Sequence, residues 1–400
     1  MRTKQSLFLA LLLALSPRAA LAGGPDAASL ALGGGGLAAS RGLASAWQNP
    51  AHLALADGPS WSVGMIGAQA TIGNDAFGLA DYRDYNGQFL DDEAKSDILN
   101  AIGPGGVSLH ARGTGALPGI QFGSIALFST TSIVSRATVS RAWAELALEG
   151  VEMYDPVHFG ATSGELDAWT ELGIALGYGL GPLSIGASVK WLHGHFHAQG
   201  EATGDLNPTL EDGVIEAVGT SGTLLTTTAE GGQGYGIDLG LAFNLGSTTF
   251  SAAASNLFAS IEWDTNPRLS GFRYEDQLDF SEEPEKPEEV DEPIDPFIAA
   301  LPPVWRLGIA RPLASRLLFV AALTRIGDDS DIGGGLELRP FSWLPLRIGS
   351  GFSSLDGARY TTGFGLSPGP IALDFGVGHR GGLFDDASGI DLALSFALNP

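Results

Sequence analysis

The sequence predicts an all-β protein: a closed antiparallel transmembrane β-barrel of about 14 strands, with a small N-terminal hatch and one short inserted helix. Three observations carry this reading. Segment after segment alternates bulky apolar residues with small or polar ones. Beyond residue 22 no apolar run is long enough for a membrane-spanning helix. Connections divide into very short turns, such as Gly181-Pro182 and Pro368-Gly-Pro370, and long polar stretches near 145–165, 198–230 and 264–300. Short turns on one side and long loops on the other mark an outer-membrane barrel.

The first 22 residues read as a secretory signal peptide. Arg2 and Lys4 precede a short apolar core from Ser6 to Leu15, and Ala20, Leu21 and Ala22 form a small-residue cleavage site. Removing Arg2, Lys4 and Arg18 with it moves the formal net charge from −24 to −27. Such a surface repels nucleic acid, so no nucleic-acid partner is expected. The chain has no cysteine, which excludes disulfides and thiolate chemistry.

Residues 23–58 form the expected hatch segment, apolar and glycine-rich without clean alternation, and 59–400 form the barrel. Glycine stands at 57 residues, with 44% of the chain hydrophobic and 16% charged. That balance fits closely packed extended backbone better than helix, whose interior glycine weakens. Residues 91–102 are the inserted helix. Asp91 caps it, acids fill its first turn, Ile98, Leu99 and Ile102 share a face, and Gly103-Pro104 ends it.

The alternation is clearest in Leu172, Ile174, Leu176, Tyr178 and Leu180, then in Ile185, Val189 and Trp191. It recurs from Tyr235 to Leu245, from Ile371 to Val377 and from Ile390 to Leu398. The opposite face carries Gly, Ala and Ser with an occasional charge. A soluble sandwich would solvate that face with charged residues, whereas a barrel turns it inward and gives the bulky face to lipid. Trp61, Trp169, Trp191, Trp263, Trp305 and Trp343 lie near strand ends, as an interfacial girdle requires. Between Glu275 and Asp295 eleven acids surround Lys286, broken by three prolines. The stretch 264–300 is expected to be a solvated, self-repelling loop.

The segment from Leu32 to Leu53, with its glycine run and Asn49, Pro50 and Ala51, resembles the opening of the FadL-type family of outer-membrane proteins. That family includes long-chain fatty-acid transporters and PorV-like secretion proteins. Ile98-Leu-Asn-Ala-Ile-Gly103, Ile185 to Leu192 and Gly234 to Gly240 are similar to an uncharacterised branch of it. The resemblance implies a fourteen-stranded barrel whose N-terminal segment folds inward as a hatch, near which hydrophobic ligands bind before leaving sideways into the membrane. Asn49 before Pro50 favours a turn, either the hatch bend or a plain lead into the first strand. The chain departs from the usual barrel ending, with Phe396 four residues from Pro400.

His193, His195 and His197 sit at alternate positions and continue the outward face beyond Trp191. On a straight strand they lie ~7 Å apart per step, too far to share one ion, so headgroup-level polar residues are the preferred reading and a metal site the minority one. Lys190 and Asp238 are opposite charges facing the lumen, and a polar interior can pair them. No hydrolase signature appears; Ser108 with His110, and His379 beside Arg380, are unspecific pairs. No cofactor is expected.

The expected function is binding or uptake of hydrophobic small molecules by a monomeric, non-catalytic barrel contacting membrane lipid or lipopolysaccharide. It calls for an apolar tunnel or lateral opening beside Asn49–Ala51. One alternative is a PorV-like barrel that docks a secreted protein through long acidic loops. A lipid-modifying barrel enzyme, with a Ser–His pair near the membrane surface, is a further alternative.

Overall fold

The computed structural model describes residues 24–150, 155–211, 214–278 and 285–399. The leader with Ala20, Leu21 and Ala22 lies outside them, as does 279–284 of the acidic stretch.

Among the described residues nineteen strands form one antiparallel sheet. In order they are β1 (Trp61–Asn74), β2 (Val107–Phe122), β3 (Ile125–Val139), β4 (Val157–His158), β5 (Thr162–Leu180) and β6 (Leu183–Glu211). Next come β7 (Val214–Ala229), β8 (Gly231–Leu245), β9 (Thr248–Thr265), β10 (Arg268–Leu278), β11 (Glu288–Pro293) and β12 (Phe297–Ala300). The last are β13 (Val304–Ala314), β14 (Leu317–Ile326), β15 (Asp329–Phe341), β16 (Leu344–Ser353), β17 (Gly357–Leu366), β18 (Ile371–Arg380) and β19 (Gly389–Leu398). Fourteen of them close a ring, which β19 completes by pairing with β1 from Gly73↔Gly389 to Val63↔Leu398. Closure leaves no edge inside the bilayer, where an unpaired N–H or C=O would find no water.

The ring's outer face is the predicted apolar one. Leu172, Ile174, Leu176, Tyr178 and Leu180 on β5 are all exposed, as are Val189, Tyr235, Leu239 and Leu392 on other strands. Their partners in the alternation, such as Ala175, Ser188, Ala242 and Ala393, are buried against the interior. Gly246 (φ +59°) and Gly181 (φ +69°) make the tight turns that hold this parity from strand to strand. A Val189→Arg substitution on the outer face is expected to destabilise the barrel by ~2–4 kcal/mol, measured by urea unfolding in phospholipid vesicles. Arginine at exposed Gln199, beyond the apolar band, is expected to change little.

Three expectations are corrected. The stretch 198–230 is not a loop: β6 runs on past the apolar band and returns through β7 as a long hairpin. Thr-rich sequence such as Thr226-Thr-Thr228 favours extended backbone, and backbone pairing outweighs the local polarity. Much of 264–300 is likewise strand, with β10 pairing β7 and β11 pairing β10. Pairing sets Arg273 opposite Glu288, and Arg268 binds Asp291 at 2.6 Å, which relieves part of the acid repulsion. Finally, Trp169 and Trp263 leave the girdle and point inward, each 1% exposed, packing with Leu192 and Ile261. Trp61, Trp191, Trp305 and Trp343 stay outside.

The inserted helix spans Asp92–Ala101, with the Asp91 carboxylate accepting from Ala94 N at 2.9 Å. Arg141, opening a helix over Arg141–Leu148, donates to the carbonyls of Leu99 and Ile102. This ties two long connections together.

Candidate functional site: the luminal plug and the wall beside it

Residues 24–58 fold inside the ring as short helical turns. Asp26 caps the helix Ala27–Ala31 by accepting from Ser29 N at 2.9 Å. The chain then reverses at Gly33 and Gly34, both left-handed at φ +67° and +79°. Gly33 donates its N–H to Thr361 Oγ1 at 2.9 Å, and its carbonyl accepts from Arg359 Nη2 at 2.6 Å. A Cβ at Gly33 would lie 2.5 Å from the Ser350 carbonyl, and one on wall residue Gly349 would lie 2.2 Å from Gly33 N. Plug backbone here rests directly on wall backbone, so both must be glycine.

Asn49, Pro50 and Ala51 form the second anchor. Asn49 Oδ1 accepts from Ala51 N at 3.1 Å, starting the turn Pro50–Ala54. Its Nδ2 donates to the carbonyls of Leu241 (2.9 Å) on β8 and Ala252 (3.2 Å) on β9. Pro50 supplies the fixed φ of the turn's first residue. His52 lies between Ser40 Oγ at 2.9 Å and Ser251 Oγ at 2.6 Å. Asn49, Ala51 and His52 are all buried.

Charged pairs brace the rest of the lumen. Arg359 grips Asp331 with both amino groups, Arg380 binds Asp391 and Asp356, and Arg347 joins Glu337 to Asp374. Lys190 and Asp238 do meet, at 3.0 Å. Lys190 also contacts Glu171 Oε2 at 3.1 Å and Asn256 Oδ1 at 2.6 Å. Glu171 and Asn256 were not foreseen. Glu171 shared the inward parity and was visible in principle. Asn256 was not, because it depends on a left-handed backbone (φ +59°) in a bulge of β9.

The three histidines part company. Trp169 pairs with Gly194 and Ala168 with Phe196, leaving His195 as the extra residue of a bulge. An extra residue inverts the faces beyond it. His193 and His195 therefore remain exposed, with ring centroids 4.9 Å apart, while His197 turns inward to Asp167. The predicted common outward face fails for His197. Ser108 and His110 do not form a catalytic pair either: Ser108 bonds Thr138, and His110 faces Asp356 at 3.1 Å. His379 accepts from Phe384 N, while Arg380 enters the lumen.

Two cavities flank the plug. One, about 160 Å³, lies among Asp26, Gln48, Arg112, Arg306, Arg359 and Asp391. It is polar, contrary to the expected apolar lumen, because the pairs that hold the plug also line it. The other, about 170 Å³, is bounded by Pro25, Leu43 and Trp47 of the plug and by Ala116, Leu117 and Ile66 of the wall. Asp26 borders both. Beside the second cavity the ladder is interrupted. The β1–β2 pairing passes from Gly64↔Gly119 to Gly67↔Ala116, skipping Met65, Ile66, Leu117 and Pro118. Pro118 has no N–H to give, and both neighbouring ladders shift register at the same level. Ile66 and Leu117 are 62% and 53% exposed on the outer face, yet they line the same cavity as buried Trp47.

No protein-family model matches the chain, and no curated protein matches it. Solved structures do. A FadL homologue from Pseudomonas aeruginosa aligns over 96% of this chain and 99% of its own, with TM-score 0.55 and 14% identity. The Pseudomonas putida toluene transporter TodX aligns over 97% and 100%, with TM-score 0.52 and 14% identity. The Ralstonia pickettii toluene transporter TbuX aligns over 95% and 99%, with TM-score 0.51 and 16% identity. Fourteen strands closed around an inward-folded N-terminal segment, superposing end to end on these structures, give the chain the fold of a FadL-type outer-membrane barrel.

Proposed function

We propose that the protein takes up hydrophobic small molecules, without chemistry of its own, and releases them sideways into the membrane through the interrupted β1–β2 seam. The observation that carries this is the cavity beside Trp47, whose lining spans the plug surface and the outer face of the wall. An apolar solute leaving there trades the cavity for hydrocarbon and never enters water. In this reading the plug is a hatch. Asn49, Pro50 and Ala51 hold its base against β6, β8 and β9, Gly33 holds it to Thr361 and Arg359, and the stretches that border the cavity, at Pro25 and from Leu43 to Trp47, yield when solute passes.

The toluene transporters of the same fold set the first solute to try. Cells expressing the protein are expected to accumulate radiolabelled toluene faster than cells without it. Leu117→Trp, which fills the mouth of the seam from outside the core, is expected to lower that rate by roughly tenfold. The same change at Leu176, on the outer face of β5, is expected to leave it unchanged. Equal uptake by the wild type and Leu117→Trp would remove the seam from the route.

A further inference from the structure

Beyond the apolar outer band, β5 and β6 carry a second constellation on their luminal faces. Glu165 and Asp167 are two residues apart on β5, and Asp167 is the register partner of His197 on β6. The bulge at His195 is what turns His197 inward to meet them. His197 Nδ1 lies 2.7 Å from Asp167 Oδ1, and one ligand atom from each of the three residues falls within 4.8 Å of the others. The imidazole is 1% exposed, with Trp263 and Phe297 at ring distances of 5.3 and 5.1 Å. Among the described residues its Nε2 has no hydrogen-bond partner, and its polar contact is to Asp167.

Two carboxylates set side by side repel. Arg136 is the register partner of Glu165 and also reaches Asp329 at 3.7 Å. A cation held between the two acids relieves that repulsion.

We propose that Glu165, Asp167 and His197 bind a divalent transition-metal ion, for which Zn²⁺ is the probe. One imidazole with two carboxylates is a borderline donor set that suits Zn²⁺. Ca²⁺ takes six to eight oxygens and has no use for the nitrogen. Paired strands hold the ligands rigidly, and the bound ion clips β5 to β6 above the Trp169–Trp263 cluster at the mouth of the lumen.

The test uses the full mature protein in detergent, purified without a polyhistidine tag, stripped with chelator and titrated with Zn²⁺ by calorimetry. One equivalent is expected to bind. Asp167→Asn and His197→Gln are each expected to weaken binding by about 100-fold or more, the upper range even for residues that only support a ligand. The double variant His193→Gln/His195→Gln is expected to bind as the wild type does. No saturable binding, or loss confined to that double variant, would overturn the proposal. Zinc-edge X-ray absorption on the wild-type protein checks the ligands independently of whether a variant folds. It is expected to read one imidazole among oxygen ligands, and two or more imidazoles would assign the ion to the outer histidines instead.

Discussion

Lys190→Met is expected to destabilise the barrel by ~3 kcal/mol, because it removes the cation in direct contact with the buried acids Glu171 and Asp238 and leaves them the more distant charge of Arg306 alone. All three groups are almost fully buried, with Lys190 within 3.1 Å of each acid. The lysine also holds Asn256 Oδ1, while the backbone N–H of Asn256 donates to Asp238 Oδ1 at 2.9 Å. Losing the ammonium therefore loosens the left-handed bulge of β9 as well. The midpoint of heat-induced unfolding, followed by gel mobility in detergent, reads the loss. Neutralising the acids alongside, in Lys190→Met/Glu171→Gln/Asp238→Asn, is expected to recover most of it. If the single variant were as stable as the wild type, the pairing would be incidental to the fold.

The barrel was legible in the sequence because the bilayer enforces one rule on every strand: large residues out, small residues in. Leu172 to Leu180 and Tyr235 to Leu245 obey it without exception, and so they announced both the fold and its orientation. The rule fails wherever one residue is added to a strand. Gly194 could supply a bend, but nothing local fixes His195 as the extra residue, and that single residue reverses the face of His197 and creates the cluster with Glu165 and Asp167. The rule also fails above the membrane. There β6 and β7 continue as a paired hairpin with polar residues on both faces, which reads as a loop. Lys190 and Asp238 were identifiable as charges on an inward parity. Their partners depend on register between distant strands, which no local pattern reveals. The excess of glycine was visible, but its cause was not: Gly33 and Gly349 are needed only because the plug backbone meets the wall there.

The Asn49–Ala51 motif has the same character. As sequence it is a turn signal. In the structure its amide side chain reaches two wall carbonyls, which anchors the segment to β8 and β9. The seam at Pro118 was equally silent, since proline within a strand reads first as an edge or an end. What exposes it is the coincidence of a gap in the β1–β2 pairing with register shifts in both neighbouring ladders at one level of the wall.

The most direct test of plug movement exploits the absence of native cysteine. A Cβ at Gly67 on β1 would lie 3.6 Å from that of Pro25 in the plug, within the 3.5–4.5 Å span of a disulfide. Both residues border the cavity beside Trp47. Pro25→Cys/Gly67→Cys is expected, when oxidised, to take up toluene roughly tenfold or more slowly than when reduced, a barrier increase of at least ~1.4 kcal/mol. Adding reductant to the same sample is expected to restore the rate. Equal uptake in the two redox states, with the disulfide verified by mass spectrometry, would contradict a route that passes between this plug and the β1–β2 wall.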